Sequence, residues 1–582
     1  MKKQLLFFLL LSTTVFSQGF LKRDGQKIVD GKGNNVLLRG LGIGGLMVQE
    51  GYMLKTADFA GPQHQIKQKI TDLIGEKNTE EFYKAYKNNG LTKRDVDSLA
   101  AWGFNSIRLP MHYNLYTLPI EKEPIQGQNT WLEEGLKMTD DLLEWCAANK
   151  MYLILDLHAA PGGQGKDANI SDYDETKPSL WESEANQNKM IAFWQKLAER
   201  YKNEPWIGAY DIINEPNWNF SGTNKNGCDE TKNVPLRNLQ INITKAIREV
   251  DTNHLIIIEG NCWGNNYKGM FPLWDDNIAL SFHKYWSYND MATIQEIVNY
   301  RKEWNVPIWL GETGENSNVW FKDVITLIES NNIGWAFWPM KKIDNIAGVT
   351  SVKITPGYEN LLRYWKEGKN KPTVQEATAI LMQIANNYKM DNVTVKYDVI
   401  DAMFRQIRTN DTKPYKKQVL PGRIFTTEYD LGPINFAYFD KVVANYWVSN
   451  GGKETDWNSG NQMRNDGVDI QKCNDTPTNG FAVIDTEDGE WLQYTFNLTD
   501  AQTFEVSLRY ATNNNSSIYL ADSNGNKVSK TVTLPTTGGA SNWNTVVLDK
   551  VAFTKGENKL RIVFEKGGAH LNYLEFNVPK NN

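Results

Sequence analysis

Cysteine is scarce, at 4 in 582 residues, which excludes a small scaffold stapled by disulfides. Of Cys146, Cys228, Cys262 and Cys473, the pair to test for a bond is Cys228 with Cys262. Histidine is scarcer relative to its usual roles. The six residues show no metal-ligand spacing, so no metal site and no cofactor are expected. No Lys/Arg block occurs, and a net charge of −6 leaves no electrostatic footprint for nucleic acid. Past the first residues no apolar run approaches the roughly 20 needed to span a bilayer. What is present is a globular balance of 41% hydrophobic and 23% charged residues, with 20 tryptophans. Most of these rings belong in a core, and the surplus allows a surface that stacks on flat apolar rings. A monomer is expected.

The first 17 residues read as an export signal. Lys2 and Lys3 precede the apolar run Leu5 to Leu11, and Val15-Phe16-Ser17 offers a cleavage site that would leave Gln18 first. A secreted protein, extracellular, periplasmic or at the cell surface, is therefore expected. At this length two or three domains are the prior.

From residue 18 to about 370 the chain alternates. Strand-like apolar runs occur at VLLRGLGI (36–43), SIRLP (106–110), YLILDLH (152–158), IGAYDIINEP (207–216), HLIIIEG (254–260), IALSFHKY (278–285), PIWLGET (307–313) and IGWAFWPM (333–340). Helical patterns such as WLEEGLKMTDDLLEWCAANK separate them. Eight such units predict an α/β fold, a (β/α)8 TIM barrel. A doubly wound sheet is the alternative, weakened because no Gly-rich phosphate loop follows the first strand.

Barrel chemistry gathers where strands end at the carboxyl face. Here those ends carry Arg108, His158, Asn214 with Glu215, Glu259, His283 with Tyr285, Glu312 and Trp338. Two carboxylates suit glycoside hydrolysis, in which one protonates the leaving oxygen and the other attacks carbon or activates water. Arg108 would hold one ionised by charge pairing, and Tyr285 would donate to it. Asn214 would bind a sugar hydroxyl, and Trp338 offers a ring face.

This set resembles glycoside hydrolase family 5, a family of retaining barrel glycosidases, over about residues 20–365. The resemblance implies that Glu215 of INEP is the acid/base and Glu312 of LGETG the nucleophile, with a carboxyl separation of about 5–5.5 Å. It assigns Arg108, His158, Asn214, His283, Tyr285 and Trp338 to the substrate site. Glu259 is the competing carboxylate, read as a structural or rim group, and Glu315 is placed in the loop after Glu312. RGLGIGGLMVQE (39–50) and LHAAPGGQGKD (157–167) are similar to the exo-β-1,3-glucanase branch of the family, whereas many bacterial members with such loops are cellulases. The expected partner is a β-glucan, with cellulase-type β-1,4 linkages favoured and an exo- or endo-β-1,3/1,6-glucanase the alternative. An inactive glycan-binding protein on the same scaffold is the reading from another class.

Residues 371–422 read as a helical extension and linker. Residues 423–582 read as an all-β jelly-roll sandwich, with short alternating runs between Asn/Gly-rich turns. The latter resemble a family 6 carbohydrate-binding module through RNDGVDIQ, NGFAVIDTEDGEWLQYTFNL and GGAHLNYLEF. Relative to that family, Met463 and Ala540 stand where stacking aromatics are common, Trp491 and Trp543 match tryptophans that are more often structural, and Asn572 matches a polar ligand position. The same resemblance places Phe425 and Thr427 where calcium-linked glutamates occur.

Overall fold

The computed structural model describes residues 19–579, and the expected export signal lies outside them. Eight parallel strands close into a barrel: β1 (Arg39–Gly42), β2 (Ser106–His112), β3 (Tyr152–Ala159), β4 (Ile207–Asp211), β5 (Leu255–Glu259), β6 (Ile278–Lys284), β7 (Ile308–Gly314) and β8 (Gly334–Trp338), with β8 hydrogen-bonded back to β1. Every residue of β2 to β8 is buried. One side of each strand fills the barrel and the other meets helices, so the strands read as unbroken apolar runs rather than alternations. Trp194, Trp309, Trp320 and Trp335 are fully buried, which places part of the tryptophan surplus in this core.

Local chemistry sets the joints. The helix Lys93–Trp102 starts at Thr92, whose backbone N–H donates to Asp95 at 2.8 Å in a capping box. It buries Val96 and Leu99 and stops at Gly103, whose φ of 109° a side chain would disfavour. The Phe104 N–H bonds back to Leu99 O at 3.1 Å, and the chain is then aimed into β2. Replacing Thr92 by alanine would cost about 1 kcal/mol.

The strand bounds differ from the sequence reading, most at β1 and β4. β1 spans only four residues, and β4 stops at Asp211. Asn214 and Glu215 therefore lie beyond the strand, in a segment that still reads as apolar because Ile212 and Ile213 are buried. Burial, not strand pairing, produced that pattern.

Helices Pro356–Glu367 and Val374–Asn387 pack with Gln63–Ile74 and Glu76–Gly90 around a small separate core that includes Ile66, Phe82, Leu381 and Ile384. Helix Tyr397–Phe404 returns to the barrel, where Phe404 meets Phe104 at 4.9 Å and Trp335 at 5.8 Å. Beyond it the chain enters an antiparallel sandwich. One sheet is built on Ala569–Asn577, Gln502–Thr512 and Gly539–Phe553, and the other on Trp491–Leu498, Gly556–Lys566 and Ser516–Ala521. Val506, Leu508, Ile518, Leu520, Ile562 and Phe576 fill the space between them.

The two units are docked rather than strung together. Ala444 of the sandwich belongs to the barrel's core, and Tyr446 and Trp457 pack against it. Asn316 Nδ2 donates to Asn445 O at 2.6 Å, and the Asn318 N–H donates to Asn465 O at 2.9 Å.

Candidate active site

Arg108 is the hub of the carboxyl face. Fully buried, it donates through Nη1 to Glu312 at 2.5 Å and through Nη2 to Asp211 and Asn214 at 2.8 Å each. Asp156 and Glu259 each lie 3.2 Å from it. Burial alone would lower its pKa, but Asp156, Asp211, Glu312 and Glu259 drive it well above the ordinary value, so the charge is permanent.

Glu312, on β7, is held from two sides. Arg108 takes Oε1, and Tyr285 OH donates to Oε2 at 3.0 Å. Glu215 has a different environment. Burial pushes its carboxyl up to about 7, against the pull of His283, whose Nδ1 lies 2.6 Å from Oε1. Glu215, His283 and Glu312 each offer an atom within 4.8 Å of the other two. A cation could use such a trio, but the same atoms are engaged by Arg108, Tyr285 and one another.

The turn that presents Glu215 is strained and clamped. Its φ of 45° lies in the left-handed region, which costs a residue with a side chain about 1–3 kcal/mol. Glu259 opposes that strain by accepting the Glu215 N–H at 2.7 Å, and Gln164 Nε2 donates to Asn214 O at 2.8 Å. Glu259 thus has a holding function. Burial would raise its pKa, but His283 and Arg108 together keep it below the usual carboxylate value.

His158 is paired through Nδ1 with Asp156 at 2.8 Å and lies parallel to the Trp338 ring, 5.1 Å away at 14°. Burial lowers its pKa to about 3, so the ring is neutral at working pH. Trp338 explains two glycines of RGLGIGG. A Cβ at Gly42 or Gly44 would sit 2.5 or 2.7 Å from its ring atoms. The ring is pinned by Nε1 donating to Tyr52 OH at 2.8 Å.

All eight residues read from the sequence as site residues thus meet at one place. Sequence reasoning missed Asp156 and Asp211, whose signal was an acid inside an apolar strand, and Glu50 and Tyr52 in the loop after β1. Glu50 Oε1 lies 3.9 Å from His158 Nε2, and burial followed by Glu312 raises its pKa well above the ordinary value. Glu315 falls in the loop after β7, as expected. A cleft of about 800 Å³ beside His112 and Asp172 includes neither Glu215 nor Glu312.

Cys228 and Cys262 form a disulfide that ties the loop after β4 to the one after β5. In the sandwich, Asn572 is fully buried and donates to Asp475 and Pro477 O, so this expected ligand position is occupied by structure. Arg561 covers the Trp491 ring at 3.9 Å.

Comparison with known proteins agrees with this geometry. Residues 66–343 match the model of Cellulase (glycosyl hydrolase family 5). Residues 464–576 match that of Carbohydrate binding module (family 35), which replaces the family 6 expectation for the sandwich. Similar proteins include a β-xylosidase of Phanerodontia chrysosporium, 26% identical over 60% of this chain and 77% of that protein. Endoglucanase C of Acetivibrio thermocellus is 26% identical over 45% of this chain and 88% of its own. A probable glucan 1,3-β-glucosidase A of Aspergillus niger is 26% identical over 37% and 50%. The barrel of this chain is thus similar to glycosyl hydrolase family 5 over residues 66–343, and the protein is a glycosidase.

Proposed function

We propose that the protein is a secreted β-glucanase, of the cellulase or endoglucanase type, that works by double displacement with retention of configuration. The observation that carries this reading is the unequal treatment of two neighbouring glutamates. Glu312 is anchored by a guanidinium and a phenol, as a nucleophile needs, while burial leaves Glu215 a proton near neutrality. Glu215 gives that proton to the glycosidic oxygen as a Glu312 oxygen attacks the anomeric carbon and the C–O bond breaks. The ionised Glu215 then takes a proton from water, whose oxygen displaces Glu312 and regenerates both groups. Carboxylate atoms within 4.8 Å support retention, since inverting pairs stand about 6.5–9.5 Å apart.

Asn214 has its oxygen tied to Arg108, which leaves its amide to face His158 or a sugar hydroxyl. The endoglucanase likeness favours β-1,4 linkages. The β-1,3/1,6 alternative is favoured by the loops RGLGIGGLMVQE and LHAAPGGQGKD and by the likeness to a glucan 1,3-β-glucosidase. NMR of the first-formed anomer across a panel of linkage-defined glucans tests both points. Initial release of the α-anomer would sink the mechanism, and the preferred substrate decides the linkage.

A further inference from the structure

A cleft of about 450 Å³ opens where the barrel's carboxyl face meets the sandwich. Its barrel wall is Trp286, Glu315, Lys342 and Asn345, and its other wall is sandwich residues, chiefly Asn445, Trp447 and Trp457. The cleft adjoins the carboxylate pair through a short chain of contacts. Tyr285, which bonds Glu312, packs against Trp286 at 5.5 Å, and Trp286 meets Trp447 edge-on at 6.4 Å. On the opposite flank Lys342 pairs with Glu315 at 2.9 Å and lies over the Tyr52 ring that carries the Trp338 hydrogen bond.

The sandwich loop is fastened there. The Val448 N–H donates to Trp286 O at 3.1 Å, the Tyr288 N–H donates to Ser449 Oγ at 2.9 Å, and Tyr288 stacks on Tyr446 at 4.8 Å. Trp286 and Glu315 on one wall and Asn461 on the other all hold left-handed φ angles, at 49°, 55° and 49°. Strain of this kind persists only where the surroundings over-determine it, and it clusters at ligand sites. Asn345 Nδ2 and Asn445 Oδ1, one on each wall, are buried without a hydrogen-bond partner. Trp447 meanwhile keeps 40% of its surface exposed, a large share for so apolar a ring.

We propose that this cleft is a sugar-binding subsite shared by the two units, in which Trp447 stacks on a glucosyl unit of the chain whose scissile bond lies between Glu215 and Glu312. The sandwich is then a wall of the catalytic cleft and not only a separate anchor for insoluble substrate. The subsite rests on the β-glucanase reading for its ligand but not for its existence.

The test is a ladder of cello- and laminari-oligosaccharides, with a short aryl β-glucoside as control. Trp447→Ala should raise KM for the longer oligosaccharides about ten-fold, the scale of one aromatic stacking contact. It should leave turnover of the aryl glucoside unchanged, and Trp447→Phe should recover most of the loss. Equal loss on short and long substrates, or no loss on any, overturns the proposal. Calorimetric binding of the same ladder to Glu312→Gln protein, with and without Trp447→Ala, separates the two readings. Trp447-dependent binding without hydrolysis by the parent enzyme would remove the glucanase reading and keep the subsite.

Discussion

Two buried arginines organise this protein, and they are used in opposite ways. Arg108 stands among an excess of carboxylates, with Asp156, Asp211, Glu259 and Glu312 all within 3.2 Å. Arg464, at the junction of the two units, pairs with Asp466 alone at 2.6 Å, lies on the Tyr429 ring at 3.5 Å and donates to the carbonyl oxygens of Tyr429 and Asp430. Asp156 Oδ1 and Asp211 Oδ1 have no hydrogen-bond partner, whereas Arg464, Asp466, Asn465 and Asn318 leave no buried side-chain atom unpaired. A matched cluster fixes geometry. A mismatched one stores the charge imbalance that chemistry needs, at a cost in stability.

Substitutions should separate the two roles. Glu312→Gln is expected to lower kcat about 10⁴-fold or more, while the thermal midpoint holds or rises because a crowded negative charge is gone. A midpoint falling as activity falls would erase the distinction. Arg464→Met should do the reverse. Leaving Asp466 buried without its partner costs about 3–5 kcal/mol, seen as a lower denaturation midpoint, while turnover of a short aryl glucoside by folded protein stays unchanged. Reducing the Cys228–Cys262 bond, which closes a 34-residue separation, should cost about 3–4 kcal/mol by loop entropy. Urea titration with and without reductant measures it, and a null result would show that the hydrogen bonds around Asn261 and Asn233 hold these loops without the bond.

The barrel was legible because its strands are buried on both faces and so cannot hide as alternating patterns. The candidate site was legible because Arg108, His283 and Glu312 interrupt runs that are otherwise apolar. Glu50 escaped because it lies well past the end of β1: its position depends on the loop path from Gly44 to Gly51, which local sequence does not dictate. The docking of the sandwich escaped for a related reason. Asn316, Asn445 and Asn465 read as turn formers, and only their mutual geometry makes them an interface. The stretch after Arg408 reads as a linker, but it is tied to the sandwich where the Lys413 N–H bonds Leu431 O at 3.0 Å.

The gentlest probe of the mismatch is pH. Burial holds the Glu215 carboxyl near 7, above its ordinary 4.5, and the reaction uses its protonated form. kcat/KM should therefore fall about ten-fold for each unit above that value. The sign for stability is the same. A carboxyl raised by folding favours the folded state below its unfolded pKa, and that contribution fades as pH rises from 4.5 towards 7. This part of stability is thus spent by about pH 7, where the fall in activity begins. In Glu215→Gln protein, residual turnover of an aryl glucoside with an acidic leaving group, which needs no proton, should show no such limb. A limb that survives the substitution would move the acid role to another group in the Arg108 cluster and break the contrast between the two glutamates.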